Sequence, residues 1–150
     1  VFFLGFVMSL FYMYRTHSLS LIIFLFLITM ITDSYAYFTG RLIGKTKLIP
    51  DISPNKTWEG TIVGSLVGTF VCTVYYLTVI DSDASVFVIT GVVFLLSIVG
   101  QLGDLFFSAI KRRFKVKDFS NLMPGHGGVL DRLDSIIFVM LTFTFFLNIL

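Results

Sequence analysis

Charge is what this chain has least of. Only 13% of its 150 residues are Asp, Glu, Lys or Arg, about half of the roughly 25% carried by an average soluble domain. That deficit excludes an ordinary water-facing surface. One cysteine, Cys72, lies inside an apolar run; alone it forms no internal disulfide and reads as a packing residue. The sequence contains no zinc-type ligand spacing, no P-loop lysine motif and no serine–histidine elbow. No basic segment precedes the first apolar stretch and no small-residue cleavage site follows it, so no signal peptide is expected in these residues. Domain-length repeats, linkers and low-complexity stretches are missing too.

What is abundant is hydrocarbon: 56% of residues are hydrophobic, 18 of them Phe, and the mean hydropathy is +0.93. The chain reads as an integral membrane protein. A helix needs about 20 apolar residues to cross the roughly 30 Å hydrocarbon layer. Val1–Tyr14 is the end of one such span, followed by Ser18–Gly40, Thr61–Ile80, Ser85–Ile110 and Ser135–Leu150, the last with a start that can fall a turn earlier. The expected fold is all-α, a polytopic transmembrane helix bundle of about five spans, the first partial. The chain begins on Val1 within an apolar run and stops at Leu150 without a polar tail. Residues 1–150 are therefore expected to be a single transmembrane domain from a longer protein, lacking amino-terminal helices.

The two long connections, Arg41–Glu59 and Lys111–Asp134, are separated by two crossings and so share a side. They hold Arg41, Lys45, Lys47, Lys56, Lys111, Arg112, Arg113, Lys115, Lys117 and Arg132, ten of the eleven basic residues. The positive-inside rule makes that side cytoplasmic. Gly60, Gly64 and Gly68 recur at every fourth position, a spacing that lets two membrane helices approach closely. An internal packing groove is the expectation, with a homodimer seam as the alternative. Trp58 is expected to anchor at the membrane interface.

Aspartates within spans demand a reason, since one at the bilayer centre costs on the order of 2.5–3.5 kcal/mol. Asp33 and Asp104 sit toward the cytoplasmic ends of their spans, and Asp131 and Asp134 at the cytoplasmic start of the last one. All four gather at one depth, beside the basic connections. Singly, each reads as an interfacial residue paired with Arg or Lys; together they read as a site. In the helical register Asp131 and Asp134 share a face, as do Asp104, Ser108 and Lys111. Carboxylates suit a hard cation such as Mg²⁺ together with phosphate oxygens, and Lys and Arg suit phosphate. The segment MPGHGGVLDRLDS, Met123–Ser135, adds Gly125, Gly127 and Gly128, where backbone N–H groups can approach an anion ahead of a helix start. An ordinary turn explains those glycines equally well, and His126 alone reads as a hydrogen-bonding loop residue. Ile52–Gly60 brings Ser53, Lys56, Thr57 and Glu59 just before a helix whose start the Thr-x-Glu pair suggests, with Pro54 expected to fix a turn. The pattern points to metal-assisted phosphoryl or nucleotidyl transfer at the cytoplasmic face.

The residues also carry a family likeness. Ser108-Ala-Ile-Lys111-Arg112, Lys117-Asp118, Ser120, Pro124, His126-Gly127-Gly128 and Asp131-Arg132-Leu133-Asp134 resemble the signature of the phosphatidate cytidylyltransferases, or CDP-diacylglycerol synthases. Met123 departs from the family's usual Leu, Ile or Phe. Asp33–Tyr37, Gly40-Arg41, Gly44-Lys45, Ser53–Gly60 and Gln101–Asp104 are similar to its other shared segments. The likeness runs from about Asp33 onward and corresponds to the carboxy-terminal half of the family's proteins.

The resemblance implies an Mg²⁺-dependent nucleotidyltransferase of phospholipid biosynthesis that converts CTP and phosphatidic acid into CDP-diacylglycerol and pyrophosphate. It implies Asp104, Asp131 and Asp134 as holders of one metal ion or two. Lys111, Arg112 and Arg132 would act on phosphate oxygens, and with Asp131 and His126 they form the expected catalytic set. Asp33, Ser53, Lys56, Thr57 and Glu59 would serve the nucleotide, and the Gly127–Gly128 loop would close on its triphosphate. The implied partners are CTP, phosphatidic acid and the bilayer, with no nucleic acid. A bacterial inner membrane is the expected location. Two rival readings stand beside it: a CTP-dependent kinase of dolichol, phytol or another polyprenol, and a cation-coupled transporter, in which the carboxylates would lie near the midplane.

Overall fold

A computed structural model of the chain describes residues 5, 8–12, 19–114 and 129–149, with side chains described for residues 135–146 of the last stretch. Its elements are helix α1 (Leu19–Leu42), strand β1 (Lys47–Ile49), strand β2 (Ser53–Thr57), helix α2 (Trp58–Tyr75) with a π-helical continuation over Tyr76–Ile80, helix α3 (Val86–Arg113) and helix α4 (Val129–Ile149). The chain thus folds as a polytopic helical bundle. Of the expected first span, residues 5 and 8–12 fall within the described part and are helical.

Three helical stretches among the described residues are long and apolar enough to cross a membrane: Leu19–Leu42, Trp58–Ile80 and Val86–Arg113. A shorter apolar stretch, Ser135–Phe146, lies within α4. At 1.5 Å per residue the 28 residues of α3 reach about 42 Å, some two turns more than the roughly 30 Å hydrocarbon layer. Its final turn carries Lys111, Arg112 and Arg113, which face the negative end of the helix dipole favourably.

Lipid tails are as apolar as leucine, so membrane helices hold together through close packing rather than through exclusion from water. The glycines of α2 show how. A Cβ placed on Gly64 would stand 2.6 Å from the Thr32 carbonyl oxygen and 2.8 Å from the Ala36 Cβ, both on α1. Gly60 meets Ala36 and Gly68 meets Thr32 in the same way. The glycine stripe is therefore filled within the chain, along the α1–α2 seam. On α3, Gly103 abuts the Phe138 ring at 2.7 Å from its would-be Cβ and lets α4 lie close. Phe24, Leu25, Ile28, Val93, Leu96, Ile137 and Met140 form the fully buried centre of α1, α3 and α4. Cys72 is fully buried and unbridged, a packing residue as expected.

The connection between α1 and α2 is not plain loop. β1 and β2 pair antiparallel, Lys47 with Thr57 and Ile49 with Ser53, with a register shift between the two pairs. Pro50 and Asp51 fill the turn, which the Ile52 N–H closes on the Ile49 carbonyl at 3.2 Å. Trp58 N donates to Thr46 O at 3.0 Å, so the hairpin is tied at its base to the first residue of α2. Pro54 is accommodated because this two-stranded ribbon consists of edges.

Candidate functional site

The chain direction alternates from helix to helix, so the C-terminal half of α1, the start of α2, the C-terminal half of α3 and the start of α4 meet at one end of the bundle. A polar cavity of about 420 Å³ opens there. Asp33 and Tyr37 of α1, Ser53, Lys56 and Thr57 of β2, Gln101 and Asp104 of α3 and Ser135 of α4 line it, with Asn55, Ala36 and Thr61.

Thr57 organises the cavity's rim. Its backbone is extended and its side chain caps α2 by accepting from Gly60 N at 3.2 Å, the role the Thr-x-Glu pattern suggested. Thr61 Oγ1 returns a hydrogen bond to Thr57 O at 2.9 Å. With Thr57 fixed, the preceding Lys56 reaches into the bundle. Its ammonium forms an ion pair with Asp104 and donates to the Gln101 carbonyl at 3.4 Å. The two side chains are 22% and 26% exposed, shielded enough to matter electrostatically and open enough for a ligand to compete. Asp33 accepts from Ser135 Oγ at 3.3 Å and also lies within the field of Lys56. Gln101 is buried, and its amide donates to Ser65 Oγ at 2.7 Å and Thr61 O at 3.3 Å, pinning α3 to α2 one turn before Asp104.

Five residues singled out from the sequence, Asp33, Ser53, Lys56, Thr57 and Asp104, thus come together. Glu59 does not join them: its carboxylate accepts from the Thr46 N–H at 3.1 Å and from the Thr46 hydroxyl, closing the base of the hairpin. Arg112 donates from Nε to the Ile52 carbonyl at 3.3 Å, tying the hairpin turn to α3. Lys111 sits two turns beyond Asp104 and does not line the cavity. His126, Gly127 and Gly128 lie outside the described residues. Asp131, Arg132 and Asp134 fall on the first turns of α4, but their side chains lie outside the described ones. Tyr37, Asn55 and Gln101 stood out from the sequence only as members of segments shared with the resembled family, and Ser135 only as the end of Met123–Ser135; none carried a role of its own.

Among the described residues no three acidic, histidine or cysteine side chains converge as a metal cage. Two carboxylates do share the cavity, with hydroxyls from Ser53 and Ser135 nearby. That donor set fits Mg²⁺, which typically takes one or two carboxylates and completes its shell with water and substrate phosphate.

The cavity also has an apolar neighbour. A groove of about 410 Å³ runs along α2 and α3, lined by Trp58, Ile62, Leu66, Phe94, Ile98 and Leu102 among others. Thr61 and Gln101 line both spaces and form their common wall.

Membrane-length helices with a charged cavity at one end and an apolar groove beside it define a polytopic membrane protein whose site suits one polar and one greasy ligand. The chain belongs to the cytidylyltransferase family, whose family model matches residues 1–150. It is similar to the phosphatidate cytidylyltransferase of Staphylococcus haemolyticus (strain JCSC1435), 46% identical over 130 residues, covering 87% of this chain and 50% of that protein. The phosphatidate cytidylyltransferase of Staphylococcus aureus (strain COL) gives the same figures, and that of Staphylococcus epidermidis (strain RP62A) is 48% identical over the same shares. The chain spans half the length of these relatives.

Proposed function

We propose that the whole protein is a phosphatidate cytidylyltransferase, converting CTP and phosphatidic acid into CDP-diacylglycerol and pyrophosphate at the cytoplasmic face of a bacterial inner membrane. The observation that carries this reading is the shared wall: a cavity with Asp33, Lys56 and Asp104 opens directly beside an apolar groove on membrane helices. Family membership and the names of the relatives support the same activity.

In this reaction a phosphate oxygen of the lipid attacks the α-phosphorus of CTP. The bond from that phosphorus to the bridging oxygen of the β-phosphate breaks, and pyrophosphate leaves with the electron pair. The substrate is its own nucleophile, so the protein's task is positioning and charge neutralisation. Lys56 would exchange its partner Asp104 for phosphate oxygens. Ser53 and Thr57 would orient the nucleotide from the hairpin, and Glu59 and Arg112 would act indirectly by holding that hairpin in place. Lys111 and Arg132 would neutralise further phosphate charge, and His126 with Gly127 and Gly128 would close over the nucleotide. The acyl chains would lie in the groove against Ile62, Leu66 and Ile98. Asp33 and Asp104, with Asp131 and Asp134, would hold Mg²⁺, which when bound supplies electrostatic relief of the charge on the phosphates.

The decisive assay uses the full-length protein in detergent with Mg²⁺, phosphatidic acid and CTP labelled at the α-phosphate. Label is expected in the lipid extract, with pyrophosphate released. Label that stays in water, while γ-labelled CTP marks a polyprenol, would sink the reading in favour of a kinase.

A further inference from the structure

Across a wall formed by Tyr37 and Asn55, the polar cavity adjoins a further space of about 370 Å³. Tyr37, Gly40, Arg41, Gly44, Lys47 and Asn55 line it. The two spaces differ in charge. Asp33, Asp104 and Lys56 give the first two negative charges and one positive, a net of one negative. The second holds the cations Arg41 and Lys47, and no carboxylate among the described residues lines it.

Local structure holds these cations in place. Arg41 donates from Nη1 to the Tyr37 hydroxyl at 3.3 Å, and Tyr37 belongs to both linings. The pairing of Lys47 with Thr57 sets the backbone from which the exposed Lys47 side chain projects. The glycines let the hairpin come near: a Cβ on Gly40 would stand 2.8 Å from Thr57 Oγ1, and one on Gly44 2.6 Å from Thr57 Cγ2. Arginine offers a planar fork and lysine a point charge, the usual pair of devices for phosphate.

A nucleoside triphosphate brings several negative charges, and a cavity that is itself net negative favours only the part of it that lies against cations. The adjoining basic space supplies what the far end of the triphosphate needs. We propose that it is a phosphate-binding subsite that receives the diphosphate group leaving the nucleotide, with Arg41 and Lys47 as its ligands. The proposal rests on the cytidylyl-transfer reading above. Geometry separates this group from the lipid's own phosphate. The apolar groove meets the polar cavity at Thr61 and Gln101, whereas the basic space meets it at Tyr37 and Asn55. Attacking and leaving groups would therefore use different walls of the polar cavity, an arrangement compatible with in-line displacement.

The test uses the full-length protein in detergent and the variants Arg41→Gln, Lys47→Gln and their double. Isothermal titration with sodium pyrophosphate measures the subsite without turnover, and product inhibition by pyrophosphate measures it during turnover. At least tenfold weaker pyrophosphate binding is expected in the double variant, with a raised KM for CTP and an unchanged KM for phosphatidic acid in mixed micelles. Lys45→Gln removes a neighbouring exposed charge that does not line the space, and it should leave all three unchanged. Unaltered pyrophosphate binding in the double variant overturns the proposal. So does an equal loss in Lys45→Gln, which would mean general charge attraction, or a loss confined to phosphatidic acid, which would assign the space to the lipid headgroup. Arg41→Lys, which keeps the charge, should retain most of the binding. Pyrophosphate binding that depends on Arg41 and Lys47 in a parent unable to transfer label would support the subsite while removing the assigned reaction.

Discussion

Lys56 and Asp104 form an ion pair that is mostly shielded from water, at 22% and 26% exposure. Removing either partner of such a pair leaves the other charge incompletely solvated, at a cost of about 1–3 kcal/mol. Asp104→Asn and Lys56→Ala should therefore cost about 1–3 kcal/mol in a detergent melting experiment. Turnover should fall on the order of 100-fold or more if, as proposed, they act as preorganised charges at the reacting phosphates. Comparing melting temperature with kcat/KM for the same preparations checks the split. Asp131→Asn should behave alike, folded but without turnover; near-normal activity would remove it from the proposed metal-holding set. At this scale the sequence was informative because carboxylates within apolar spans are costly and so stand out. It could not pair Lys56 with Asp104, because that contact exists only once the Thr57 cap turns the chain into α2. Neutral residues such as Ser135 and Asn55 carry no comparable mark.

Helices were legible for a related reason. Apolar runs of about 20 residues leave few alternatives in a bilayer, and α1 and α3 fall within a few residues of their expected limits. The hairpin was hidden. Its strands are short, β2 contains Pro54, and it depends on partners outside itself, among them Glu59, Thr46 and Arg112. The glycine spacing on α2 announced a close helix contact without naming the partner helix, which turned out to be α1. Two substitutions separate packing from propensity. Gly64→Ala forces a methyl against the Thr32 carbonyl and should destabilise by about 1–3 kcal/mol, the usual cost of overpacking. Gly91→Ala meets nothing within 4 Å and should stabilise α3 by about 0.5–1 kcal/mol. Thermal unfolding of the two variants in the same detergent would show shifts of opposite sign.

For the molecule as a whole, the arrangement is two chemistries on either side of one wall. Ile98→Trp would place a bulky ring in the apolar groove while leaving the charged residues alone. The KM for long-chain phosphatidic acid should rise severalfold, that for a short-chain analogue less, and that for CTP not at all. Assays in mixed micelles with both lipids provide the comparison. Topology made this end of the bundle foreseeable, because alternating spans bring Asp33 and Asp104 to the same side. The groove was not foreseeable, since its Ile, Leu and Phe residues resemble any other lipid-facing surface in sequence.

The far end of the bundle holds none of the residues assigned to either cavity; there α2 runs into the π-helical turn of Tyr76–Ile80 before the short Asp81–Ser85 connection. A host membrane thicker or thinner than the helices imposes tilt or distortion that costs fractions of a kcal/mol per Å. An irregular turn yields to that demand more readily than the hairpin, which is hydrogen-bonded at its base and its tip. Hydrophobic mismatch is thus expected to be taken up at the face that carries this turn, leaving the packing around the polar cavity at the opposite face the less disturbed of the two.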